Sequence, residues 1–412
     1  KAALPGRTSV GGARSPARRA RMVDACGQGG GPWWFVQDGS WQAGLQSLVH
    51  LLLWAAAWQL LARFAPDVRE EHAPRAPGAT RLPLLDNAKL CLMPMVVLHH
   101  LNQFFVKPGG LYGFGIRILG PFPTRAYCFI SAHLARSDPS LRSFRNVLFK
   151  IFVPWVFQRT LLVPLVSEGL TQGFPRSFSA WSHDAAHNMS DDLGESWFLL
   201  GLIVWKILGW FLMPLKPPVR MLAAVAIPAV MGQVRLPMTL SWILSYLPVY
   251  VSGQLFPLED FRARLPSSLG LRVLCAVLLV ASPLWEPILP LTPALMPVWS
   301  GEWEGTRFCS FLDASLMWLR MLCLNTHEMT KVFMLLLACP RSESPLTVLG
   351  GHTMYPYLLH MTALHLQFRW LPSPPEAGDS IPAQTLLWLA LAALAVLWTV
   401  ALATWPVRSV FA

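Results

Sequence analysis

The sequence predicts an all-α fold: a polytopic membrane helix bundle of about ten transmembrane helices. One further N-terminal helix either spans the membrane or lies in its interface. Three observations lead there. Hydrophobic residues make up 54% of the 412 residues and charged residues only 13%, against roughly 25% charged in ordinary soluble domains. Mean hydropathy is +0.43, and the apolar residues fall in runs of about twenty, the length a bilayer-crossing helix needs. The 19 Trp, 36 Pro and 28 Gly suit membrane bundles, where Trp gathers at interfaces and Pro and Gly are tolerated.

Residues 1–40 have no apolar run. Lys1, Arg7, Arg14, Arg18, Arg19 and Arg21 all precede the first acid, Asp24, and supply much of the net charge of +11. This stretch reads as a basic, irregular leader or tail, either a transit peptide or a solvated arm against anionic lipid. Residues 43–62 are apolar but carry Gln46, His50 and Gln59, which makes this the helix that spans or lies in the interface. A charged, Pro-rich linker covers 65–82. The membrane domain proper, 84–404, holds candidate helices at about 84–106, 112–135, 144–167, 197–214, 219–234, 238–256, 272–290, 318–339, 349–370 and 384–404. No soluble domain, repeat or nucleic-acid module is visible.

Loop charges orient the bundle. With the linker in the cytosol, the cytosolic segments collect Arg69, Arg75, Arg81, Arg136, Arg142, Arg145 and most later basic residues. The opposite side keeps only Lys107, Arg176, Arg235, Arg307 and Arg369, as the positive-inside rule requires. The sequon Asn188-Met189-Ser190 falls on the outer side. Cys91, Cys128, Cys275 and Cys323 sit in apolar runs without metal-ligand or disulfide spacing and read as small apolar fillers. His183 and His187 lie i,i+4 in the outer loop, among Asp184, Asp191 and Asp192, and read as solvated. No metal is expected.

The first strong helix carries the chemistry. It opens on Leu85-Asp86-Asn87-Ala88-Lys89, turns apolar, and ends on His99-His100. Eleven residues on a helix make about 1100°, so Lys89 and His100 share a face roughly 16 Å apart. Asp86, three residues earlier, falls near the same line. His99 is displaced by about 100°, and Pro94 should kink the helix. Ionisable groups in a span cost energy and mark function by default. The plainer readings are a hydrogen-bonded core histidine and a Lys89 that pairs with Asp86 or lipid headgroups. The helix at 318–339 is oddly polar as well. It holds Arg320, Asn325, Thr326, His327, Glu328 and Lys331, with Glu328 and Lys331 spaced to pair. It either lines a water-filled tunnel or breaks the span.

These stretches resemble the acyltransferase 3 family of integral-membrane O-acyltransferases, nearest the fucose 4-O-acetylase-like group. Leu85–Lys89 followed by ten residues and His100 is similar to that family's opening helix, with Lys89 where many members have Arg and His99 where glycine is usual. Arg125-Ala126-Tyr127-Cys128-Phe129-Ile130-Ser131-Ala132-His133 resembles a second segment, Ala132 replacing a glycine, with Arg136 following. Trp197-Phe198-Leu199-Leu200 resembles a third, with Glu195 at a histidine place. Gly351 to His360 resembles a fourth, carrying Tyr357 and His360 on one face. The resemblance implies transfer of an acyl group, usually acetyl, from an acyl-CoA co-substrate on the cytosolic side to a hydroxyl, often on a carbohydrate, with no other cofactor. It implies catalytic roles for His100, as base or covalent acyl carrier, and for Lys89. Donor or substrate contacts would fall to Asp86, Asn87, Ser131, Arg136, Trp197, Tyr357 and His360. A different class uses the same buried groups: a proton-coupled transporter of a small organic solute, with His100 and Lys89 as relay and ion partner. The lack of an inverted repeat weighs against it.

Overall fold

The computed structural model describes residues 82–105, 122–135, 144–145, 147–160, 197–231, 240–258, 268–285, 325, 327–368 and 381–404. The expectations for 1–40, 43–62 and the linker up to Arg81 lie outside these residues, as do the outer loop 168–196 and Arg136. The described residues are helical, with no strand among them.

Helix α1 (Pro83–Phe105) begins on a proline, whose missing N–H costs nothing in a first turn, and carries Asp86 there, where the helix dipole favours an acid. It continues through Pro94 as one helix. Helix α2 (Phe122–Leu134) matches the later part of the span expected at 112–135. The next expected span enters through a π-helical turn, Leu148–Phe152, into α3 (Val153–Phe157). Pro154 has no N–H for the Lys150 carbonyl, and a wider turn accommodates its ring. Helices α4 (Trp197–Leu212) and α5 (Pro217–Met231) agree with their expected spans. Buried Arg220 closes the turn between them, donating to the carbonyls of Met213 and Leu215.

Two expected helices are each divided. The 238–256 span is α6 (Leu240–Ser245) and α7 (Leu247–Leu255), interrupted at Tyr246 because Pro248 sits in the first turn of α7 and withholds an N–H. The 349–370 span is α10 (Thr347–Gly350) and α11 (Met354–Phe368). Between these pairs run α8 (Leu269–Trp285) and α9 (residues 327–338), and α12 (Ile381–Ala403) closes the chain.

Helix α2 lies along α7, and α1 is packed by α2, α10, α11 and α12. Both close approaches use glycine. A Cβ at Gly253 would run into the Phe129 carbonyl, and one at Gly350 into the Asp86 carbonyl. One apolar core joins Leu92, Met93 and Leu101 of α1 to Phe129, Trp205, Tyr246, Tyr250 and Leu335. The outward faces stay apolar, with Leu222, Leu269, Val277, Leu386 and Leu397 exposed. Within α12, Thr385–Ala403 is long and apolar enough to cross a membrane.

Candidate active site

The structure brings His100 and His360 together across 260 residues of sequence. Their ring centroids are 5.2 Å apart, and the edge of His99 meets His100 at 5.6 Å. The neighbouring His99 thus packs edge-on against His100. His360 is buried, and its Nδ1 lies 2.7 Å from the Tyr357 carbonyl and 3.2 Å from that of Pro356. Carbonyl oxygens only accept, so Nδ1 carries the proton and Nε2 is the basic nitrogen of the neutral ring. Tyr357 packs on His360 at 5.6 Å. The shared face expected for Tyr357 and His360 is thus an actual contact, and it opens onto His100.

From Tyr357 an aromatic wall continues. Tyr357 meets Phe198 at 5.5 Å, Phe198 meets Trp197 at 6.0 Å, and Trp197 meets Tyr246 at 5.5 Å. Trp197 is half-buried in that wall and, among the described residues, is linked to the histidines through Phe198 and Tyr357. Ser131 is half-buried on α2, one turn past Tyr127, and its hydroxyl bonds neither histidine among the described residues.

The other end of α1 is a clamp. Lys89 Nζ is 2.7 Å from Asp86 Oδ1, the carboxylate buried and the ammonium side chain 16% exposed. The plain pairing of these two residues is therefore formed, and it leaves two of the three ammonium protons for other acceptors. Tyr127 donates its hydroxyl to the Lys89 carbonyl at 2.7 Å, tying α2 to this turn. Asn87, two residues before Lys89, bonds the 340–347 connection. It donates to the Pro340 carbonyl at 2.9 Å and the Ser342 carbonyl at 3.1 Å, and accepts from Thr347 Oγ1 at 2.8 Å. Its side chain ties the 340–347 connection to α1. Lys89 lies about three helical turns, about 16 Å, from His100 along α1, and Asp86 about four turns, about 21 Å.

A second polar centre went unassigned in the sequence. Arg125 is fully buried, donates from Nε to Asn325 Oδ1 at 2.8 Å, and reaches the Tyr246 hydroxyl at 3.5 Å with its guanidinium 4.5 Å over that ring. Asn325 in turn donates to the Ser245 carbonyl at 3.1 Å. Nearby, Lys331 and Glu328 form the expected pair at 3.1 Å, both buried. The polar stripe of the 318–339 segment thus faces protein where it is described. The available signal was Arg125 itself, a lone arginine inside an apolar run. His133, in the last turn of α2, is fully buried. Cys91, read as a filler, is exposed and faces Cys339 with sulfurs 4.0 Å apart.

The described residues are helical with apolar outer faces, and one long helix, α1, carries both an ion pair and two adjacent histidines. A family model described as an acyltransferase domain matches residues 82–405. The chain belongs to that acyltransferase 3 family, a membrane family, and is an acyltransferase. No curated protein and no solved structure matches it. The family match lends no support to the transporter alternative.

Proposed function

We propose that this acyltransferase moves an acyl group, acetyl in the simplest case, from a cytosolic acyl-CoA to a hydroxyl acceptor, a carbohydrate or another alcohol, within a multi-pass bundle in the bilayer. The observation that carries the reading is the contact of His100 with His360, two imidazoles at the far end of the helix that holds Lys89. His100 takes the proton from the acceptor hydroxyl as the oxygen attacks the thioester carbonyl. The carbon–sulfur bond then breaks, and the departing thiolate regains a proton from the imidazolium. His360 flanks that imidazole with a ring whose orientation the Tyr357 carbonyl fixes. Lys89 is too far from His100 to hold the oxyanion. Its place is at the donor's phosphates, with the extended pantetheine arm running along α1 between the two ends. The aromatic wall from Tyr357 to Trp197 supplies faces of the kind on which sugar rings pack.

The reading is tested by incubating the purified full chain with labelled acetyl-CoA and a panel of monosaccharides. Acceptor-dependent release of free CoA is expected. Movement of a solute across proteoliposomes with no CoA release would overturn the reading.

A further inference from the structure

Asn87 and Cys91 are one helical turn apart on α1 and share a face. Asn87 donates to the Pro340 carbonyl at 2.9 Å. One turn on, the Cys91 sulfur meets that of Cys339, the residue before Pro340, at 4.0 Å, with the Cys339 thiol donating. The two contacts therefore join the same two pieces of chain. The second brings together sulfurs 248 residues apart in sequence.

The two thiols stand in unequal surroundings. Among the four described free cysteines Cys91 is exposed, whereas Cys128, Cys275 and Cys339 are buried. Cys339 lies in the bend that ends α9, just before the connection whose Ser342, Glu343 and Ser344 are exposed. A small neutral oxidant meets the exposed sulfur first, and the buried thiol waits behind it. Arg272 donates from Nε to the Ala338 carbonyl at 3.2 Å. A permanent cation thus stands one residue from the thiol that must carry negative charge as it reacts. An accessible cysteine backed by a resolving cysteine is the arrangement that senses peroxide. About 2 Å of approach separates the two sulfurs from bonding distance, and side-chain rotation at two residues, one of them in a bend, covers it.

We propose that Cys91 and Cys339 are a modification site for peroxide, whose disulfide latches the 340–347 connection to α1. The Cys91 thiolate attacks one peroxide oxygen. The O–O bond breaks, hydroxide leaves, and Cys91 becomes a sulfenic acid. The Cys339 thiolate then attacks the Cys91 sulfur. The S–S bond forms, the S–O bond breaks, and a second hydroxide leaves. The two protons given up by the thiols turn both hydroxides into water. The sulfurs together lose two electrons, and the peroxide gains them. A small thiol reverses the bond by exchange. The latch repeats the Asn87 tie covalently. It uses no residue of the histidine pair and stands whatever hydroxyl that pair acylates.

The test treats the reduced full chain in detergent with equimolar hydrogen peroxide and dimedone, which traps sulfenic acids, and maps the products by mass spectrometry. The wild type should give a Cys91–Cys339 linked peptide that dithiothreitol removes. Cys339→Ser should show at least about tenfold more dimedone on Cys91 than the wild type, because the resolving thiol is gone. Cys91→Ser should show little on Cys339. The latch is read separately by thermal unfolding. Reduced Asn87→Ala should melt below the wild type, and peroxide should restore at least about half of the loss, but none of it once Cys339→Ser is added. The trapping result decides the matter even if Asn87→Ala does not fold. The proposal is overturned by absence of the linked peptide, by equal dimedone on Cys91 in the wild type and Cys339→Ser, by labelling of Cys339 as strong as that of Cys91, by a link between chains instead of within one, or by a disulfide that leaves the melting of Asn87→Ala unchanged.

Discussion

Asn87 separates a clamp from a ligand contact. The side chain is buried, and three hydrogen bonds join it to the 340–347 connection. Asn87→Ala removes all three. At about 1 kcal/mol net per bond, and with the Pro340 carbonyl and the Thr347 hydroxyl left short of partners, the loss should be about 2–4 kcal/mol. At about 2 °C per kcal/mol for a domain of this size, the melting temperature of the detergent-purified protein should fall by about 4–8 °C. Asn87→Asp keeps an acceptor for Thr347 but sets a carboxylate against two carbonyls, so it should be no better. Because α10 lies against the Asp86 backbone at Gly350, loosening it should also disturb Lys89 and raise the donor KM, always together with the lost stability. Thermal unfolding and donor kinetics on the same preparations settle the point. A variant that melts like wild type but has a raised donor KM would refute the clamp and make Asn87 a donor ligand.

Three further outcomes follow from the site. His100→Ala should lose at least about a hundredfold in acyl transfer, the lower end of what general-base catalysis is worth. His99→Ala should stay within a few-fold, and His360→Ala should fall between them. Steady-state rates in matched membranes check the order, and equal losses at His99 and His100 would contradict it. Lys89→Arg should keep useful activity, whereas Lys89→Met should raise the donor KM. Adding Asp86→Asn to Lys89→Met should recover expression without recovering KM, since it relieves a buried carboxylate robbed of its 2.7 Å partner. Mild oxidation should cross-link Cys91 to Cys339, whose sulfurs are 4.0 Å apart, detectable as a linked peptide pair by mass spectrometry. Its absence under conditions that oxidise exposed thiols would contradict the packing of α9 against α1.

Local spacing made part of this legible. Asp86 with Lys89, Glu328 with Lys331 and Tyr357 with His360 are i,i+3 neighbours, so the helix period alone brings each pair onto one face, and the structure realises all three. The spans were legible as apolar runs, but their interruptions were less so. Pro94 lies within one helix, whereas Pro248 divides its span, because a proline near a helix start sets a boundary there. What the sequence could not disclose is which helix faces which. His100 with His360, Asn87 with the 340–347 connection, and Arg125 with Asn325 are pairs 200 residues or more apart. In a bundle where every helix is apolar, no amphipathic stripe singles out the neighbour. That is why the tie of Asn87 to the 340–347 connection and the Arg125–Asn325 bond were not legible.

Acyl transfer to a hydroxyl at the His100–His360 pair leaves a chemical record on the acceptor. The most direct measurement is the fate of the labelled acyl group in proteoliposomes supplied with acetyl-CoA on the donor side and a monosaccharide acceptor. The account predicts that the label appears on the acceptor as a hydroxylamine-labile ester with wild-type protein, and falls at least about a hundredfold with His100→Ala at equal expression. Label that reaches the acceptor equally well in His100→Ala, or that never forms an ester, would contradict it.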